Sequence, residues 1–170
     1  LDEETKRTMA RLAQMQLSSG QWPWFPGGHG NDYITLYITT GFGRMRHLGI
    51  KDVDMVPAIK ALNSLDAWVN ERYRWILDHG NKDNNNLTSI IAMYLYGRSF
   101  YLADQPIDGE AVEAVDYFLG QAKEHWLKLS RQSQAHLAVG VQRFGKDRET
   151  PQKIMASISE HAVSNEEMGM

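Results

Sequence analysis

The side chains best able to do chemistry in this chain are six histidines, because there is no cysteine to act as nucleophile, thiolate ligand or disulfide partner. His29 and Asp32 share a glycine-rich stretch and could donate two metal ligands, but a structural or catalytic zinc needs a third convergent group and none stands nearby in sequence. His125 and His136 fall within helical patterns and read as polar members of helix interfaces. His47, His79 and His161 fall near helix ends, where an imidazole can meet the last free carbonyls. Asn81, Asp83 and Asn85 carry the first three spacings of a calcium loop. Asn86 then replaces the required glycine and Ala92 the bidentate glutamate, so the EF-hand reading fails. Asn86-Leu87-Thr88 matches a glycosylation acceptor, but Asn86 is better explained as a helix N-cap. Gly41-Phe42-Gly43 lacks the third glycine of a dinucleotide fingerprint and lies inside a helical pattern. These residues lead us to expect neither metal nor cofactor.

Acid chemistry would have to come from Asp32, Asp104 and Asp108, or from Asp52 and Asp54, and neither Asp-x-Asp-Asp nor Asp-Asp-x-x-Asp occurs. Trp24, Tyr33, Tyr37, Tyr94 and Tyr96 would suit an apolar or sugar ligand, and Trp24, Tyr33, Tyr37 and Tyr94 are the candidate inner-face contacts; aromatic residues at such positions are more often core. Gln16-x-x-x-Gly20-x-Trp22 ends one helical pattern and approaches the next. A glutamine there can bond the free amides at the start of the following helix while the indole packs on the turn, so the motif reads as structural.

The elements that must position these residues are helices of two kinds. Asp54 to His79 repeats Val56, Ile59, Leu62, Leu65, Val69 and Ile76 on one stripe, which is an amphipathic helix with Asp54 as N-cap, Pro57 in the first turn and a left-handed Gly80 at its end. Gly109 to Leu129, a helix opened by Thr150-Pro151 with Ile154 and Ile158, and Leu1 to Leu17 read the same way. Tyr33 to Arg46, capped by Asp32, and Leu87 to Ala103, capped by Asn86, are apolar on nearly every side and are expected to be interior; Ser130 to Phe144 is a milder example. The two kinds alternate with a period of about 40 to 55 residues, which points to a helical repeat array. Strict alternation predicts an all-α fold in two concentric shells: a partial α/α toroid of alternating outer and inner helices, about three and a half hairpins, in one domain over residues 1–170. Ser18 to Asn31, rich in Gly, Pro, Trp and Phe, is expected to be a loop packed on the body of the domain.

Composition agrees with one ordered domain. A chain of 170 residues with 42% hydrophobic side chains can bury roughly 70% of its unfolded surface. A net charge of −3 without a basic run gives no footprint for nucleic acid. No apolar stretch reaches the roughly 18 to 20 residues of a membrane span. The opening Leu1-Asp2-Glu3-Glu4, without initiator Met or signal peptide, leads to the expectation of a piece of a longer protein.

The run from Leu12 through Gln16, Gly20 and Trp22-Pro23-Trp24-Phe25-Pro26-Gly27-Gly28, followed by Asn31-Asp32-Tyr33-Ile34-Thr35-Leu36-Tyr37-Ile38, resembles the thioester-domain region of bacterial alpha-2-macroglobulins. His125-Trp126-Leu127, Gln134-Ala135-His136-Leu137-Ala138 and the tail from Ile158 to Val163 with Glu166-Glu167-Met168-Gly169-Met170 are similar as well. The resemblance implies a scaffold segment of a large protease-trapping inhibitor of the periplasm or cell envelope, with neighbouring domains of the parent protein as partners and proteases as its targets. The family's thioester joins Cys to Gln in Cys-x-Glu-Gln. Neither that motif nor any Cys occurs in this chain, so no thioester residue is assigned and no enzymatic chemistry is expected. The alternative is an α/α-barrel enzyme domain acting on a polyprenyl or carbohydrate substrate. An incomplete ring would also leave apolar surface at its open ends, from which self-association is expected.

Overall fold

In a computed structural model the described residues are 3 to 161; Leu1, Asp2 and the tail from Ala162 to Met170, with its Glu166-Glu167-Met168-Gly169-Met170 run, lie outside them. Among the described residues seven α-helices follow one another: α1 (Glu3–Met15), α2 (Asp32–His47), α3 (Val56–His79), α4 (Ser89–Arg98), α5 (Ala111–His125), α6 (Arg131–Phe144) and α7 (Glu149–Glu160). Single 3-10 turns extend α4 over Ser99–Tyr101 and α5 over Trp126–Lys128. Among the described residues the β contact is one isolated antiparallel bridge, Pro23 to Gly30, which pins the base of the loop between α1 and α2.

The helices begin where side chains can cap them, though not always where the sequence alone placed the cap. Asn31, not Asp32, caps α2, its Oδ1 accepting from the Ile34 amide at 2.9 Å; Asp32 is the first helical residue and accepts from Gln21 Nε2 at 2.8 Å. Thr88, not Asn86, caps α4 through Oγ1 and the Ile91 amide, because the Asn86 amide group is spent bridging the Asn81 and Asn84 carbonyls and the Tyr117 hydroxyl. Asp54 stands one residue before the cap position of α3, where its Oδ1 takes the Val56 amide at 3.0 Å. Gly80 ends α3 with φ −116°, an extended backbone instead of the expected left-handed one. Ser130 and the left-handed Gly145 bound α6.

Alternation along the chain becomes two rows in space. The even-numbered helices lie side by side, with α4 between α2 and α6, while α3 and α5 lie side by side behind them, α2 resting on α3 and α6 on α7. Helix α1 leans on this assembly through Met9 and Leu12, which pack with Phe42, Ala58, Leu62 and Tyr101. A larger core spans the rest of the wall, from Leu65 and Val69 on α3 through Tyr94 and Leu95 on α4 and Phe118 on α5 to Leu137 on α6 and Ile154 on α7. Seven helices in this order make three and a half hairpins. The even row is not enclosed on every side, as its apolar composition led us to expect: Tyr33 and Tyr37 of α2 are 48% and 61% exposed. Three helices backed by one row have a second face left over, and tyrosine tolerates that face because its hydroxyl keeps a partner in water.

Small residues set the spacing of the even row. A Cβ on Gly97 of α4 would collide with Thr40 of α2, one on Gly43 of α2 would come within 2.6 Å of the Phe100 ring, and one on Gly140 of α6 would stand 3.0 Å from the Leu95 backbone. The two rows are joined by a buried ion pair. Arg98 of α4, with a fully buried side chain, donates from Nε to Asp66 Oδ1 of α3 at 2.9 Å and from Nη2 to Oδ2 at 3.1 Å. Tyr94 donates to the same Oδ1 at 2.7 Å, and Arg98 Nη2 also reaches the Gln105 carbonyl at 2.7 Å. Burial first, and then the Asp66 charge and hydrogen bond, hold the Tyr94 hydroxyl well above its ordinary value, so it stays a donor. Removing one partner leaves a buried charge without compensation. Asp66→Ala is expected to lower unfolding free energy in urea by about 3 to 5 kcal/mol, with Asp66→Leu plus Arg98→Met recovering much of it; a single-variant loss below about 1 kcal/mol would contradict this role.

Candidate functional site

The Gln16, Gly20 and Trp22 motif sits where α1 meets both rows. Gln16 Nε2 donates to the Gly20 carbonyl at 2.8 Å and to the Pro57 carbonyl of α3 at 2.7 Å. It therefore binds one carbonyl of its own turn and one at the start of a back-row helix, not the free amides of α2, because the chain turns at Gly20 to run directly over α3. Gly20 adopts φ +87°, and any Cβ there would strike the Lys60 carbonyl. Trp22 is fully buried, stacks on Phe42 of α2 and donates Nε1 to the Leu12 carbonyl of α1 at 2.8 Å, while its amide bonds Thr35 Oγ1 at 2.9 Å. Three helices are clipped together by one short motif.

A groove of about 430 Å³ lies on the free face of the even row. Helix α2 contributes Tyr33, Tyr37, Gly41 and Arg44; α4 contributes Ile90, Met93 and Tyr96; α6 contributes Gln132 and His136. On each helix these residues recur every three or four positions, so one stripe from each faces the same space. Tyr33 and Tyr37 stack at 6.4 Å between ring centroids, and Tyr96 lies flat on His136 at 4.7 Å with 9° between planes. Among the described residues Arg44 is the one fully charged side chain lining the groove, and no Asp or Glu lines it.

Of the residues singled out from sequence, Tyr33 and Tyr37 line this groove and Trp24 and Tyr94 do not. Tyr94 is fully buried on the opposite side of α4, facing Asp66. Trp24 is 66% exposed in the loop before α2, so that loop turns its aromatic residues Trp24 and Phe25 outward and buries only the third, Trp22. Tyr96, named with them as a residue suited to an apolar or sugar ligand, lines the groove too; Arg44 and Gln132 were missed, and the signal that could have found them is the common stripe Tyr33, Tyr37, Arg44, matched by Ile90, Met93, Tyr96 and by Gln132, His136.

The remaining candidates are accounted for locally. Asp32 is engaged by Gln21, and Asp104 is gripped by both terminal nitrogens of Arg46 at 2.8 and 2.9 Å, which holds its carboxyl below the usual range. Among the described residues no three His, Cys, Asp or Glu side chains converge as a metal site, His29 and Asp32 included. Asn81 and Asn85 accept from backbone amides two residues on, forming tight turns instead of a calcium loop. His47 and His79 end α2 and α3, and His161 follows α7 with Nδ1 2.8 Å from the Ser157 carbonyl. Comparison with protein-family models, with curated proteins and with solved structures finds no match to this chain.

The groove has an electrostatic signature of its own. Burial, and secondarily the Arg44 charge, hold His136 below its ordinary value, so the folded protein takes up this proton less readily than the unfolded chain. The associated stability is fully present above about pH 6.5 and is lost as pH falls through the lower folded value. Asp104 and Asp147 are also lowered, but from carboxylate values, and act at more acidic pH. His136→Gln is expected to flatten the decline in melting temperature between about pH 7.5 and pH 5; an unchanged slope would assign that decline elsewhere.

Proposed function

We propose that this chain is a scaffold segment of the thioester-type domain of a macroglobulin-like protease-trapping inhibitor, located in the periplasm or cell envelope and without catalytic chemistry of its own. The observation that carries the reading is the clip formed by Gln16, Gly20 and Trp22. It falls in the Leu12 to Gly28 run that carries the family resemblance, Trp22 opening its most specific part, and its hydrogen bonds join α1, α2 and α3. The alternation of rows supports a partial toroid, in which neighbouring domains of the parent protein grip the wall at its ends. At one such end Val139 of α6 and Met155 of α7 are exposed beside Pro151, an apolar edge suited to burial against another surface. The barrel-enzyme alternative gains little from the groove, where no acid among the described residues stands ready to protonate or ionise a substrate.

The parent protein should collapse to a faster-migrating form on native gels when a protease cuts it, with a covalent adduct where a Cys-x-Glu-Gln motif lies upstream. Unchanged mobility and no adduct would overturn the reading. The isolated 170-residue chain should self-associate in sedimentation experiments, and Met155→Glu should weaken that association; a chain that stays monomeric at high concentration would remove the open edge as its cause.

A further inference from the structure

We propose that the groove formed by α2, α4 and α6 binds an acidic sugar, a mono- or disaccharide whose ring stacks on the tyrosine faces and whose carboxylate pairs with Arg44. Its volume of about 430 Å³ is that of a small-molecule site. Its walls offer flat aromatic faces, from the Tyr33 and Tyr37 stack on one side and the Tyr96 and His136 stack on the other. Between and around those faces stand hydroxyl and amide tips, from the tyrosines, Ser89 and Gln132. A pyranose ring has the matching pattern: apolar C–H faces above and below, hydroxyls around the edge.

Charge narrows the class. Arg44 supplies a planar fork suited to a carboxylate, and among the described residues the lining has no acid to repel one. The other ligand chemistries fit less well. A purely aromatic acid would cover the hydroxyl and amide tips without satisfying them, at a cost for each. An extended peptide needs free main-chain partners, and a wall made of helices has already spent its backbone groups internally. The inference concerns the free face of the even row only, and stands whether or not the parent protein traps proteases.

The test is binding of disaccharides containing glucuronate or galacturonate to the 170-residue chain, by titration calorimetry and ligand-observed NMR, with maltose as neutral comparison and a short Glu-Tyr-Glu peptide as the competing class. The acidic disaccharides are expected to bind at least about tenfold more tightly than maltose. Arg44→Gln should reduce their affinity at least about tenfold and abolish the difference from maltose, with Arg44→Lys intermediate because it keeps the charge and loses the fork. Tyr37→Ala should weaken acidic and neutral sugars alike. Both side chains are exposed, so melting temperatures should stay near that of the parent sequence and separate binding loss from unfolding. Failure of both uronates to bind at millimolar concentration, equal binding of maltose, undiminished binding in Arg44→Gln, or preference for the peptide would each overturn the proposal.

Discussion

The architecture depends on one expensive contact, the carboxylate of Asp66 held by Arg98 and Tyr94 between the two rows. Taking both charges out of water costs several kcal/mol for each ion, and only near-complete hydrogen bonding offsets it. Here the carboxylate receives Nε, Nη2 and a phenol, and the guanidinium also reaches the Gln105 carbonyl beyond the end of α4. An apolar side chain in place of Asp66 could slide along α4 with little penalty. A carboxylate that must meet a buried arginine can do so at one registration of α3 against α4 only. The contact therefore specifies how the rows are offset, and with it which faces of α2, α4 and α6 are left to form the groove.

The first hairpin is fixed in a different manner. Gln16 and Trp22 reach from the segment after α1 to the Pro57 carbonyl in the first turn of α3 and to the Leu12 carbonyl, one of those that the last turn of α1 leaves free. Arg46 does the same near the other end of α2, gripping Asp104 after α4 and lying 5.1 Å from the centre of the Tyr101 ring. Polar side chains at helix termini thus supply orientation, while the two apolar clusters supply most of the driving force.

Most of the fold was legible in the sequence because its determinants are local. The 3.6-residue stripe of α3, the Pro151 start of α7 and the Ser130 to Phe144 pattern of α6 are each written within a short stretch, and each element formed close to where expected. Cap identities were harder at α2 and α4, where two polar residues compete. Asn31 and Thr88 won because Asp32 and Asn86 find partners distant in sequence, Gln21 and Tyr117. The groove was half legible. Tyr33 and Tyr37 declare a face by their own spacing, but Tyr94 and Tyr96 are two residues apart on one helix and point to opposite sides, one to Asp66 and one to His136. Which of the two is buried depends on the partner row, and that information lies about thirty residues away in α3.

Gly43, Gly97 and Gly140 carry a mechanical consequence. Where helices meet through long side chains, each can shift by letting rotamers change; at Gly140 the main chain of α6 lies directly against that of α4, and at Gly97 α4 lies against the short Thr40 side chain of α2, so little slack is left to take up. A push delivered to α6 is handed at Gly140 from backbone to backbone, and at Gly97 through Thr40, whose stiff β-branched side chain has little room to absorb it. The front of the wall therefore behaves as a stiff plate, and a load applied at one edge arrives at the other as displacement of the whole, not as local deformation.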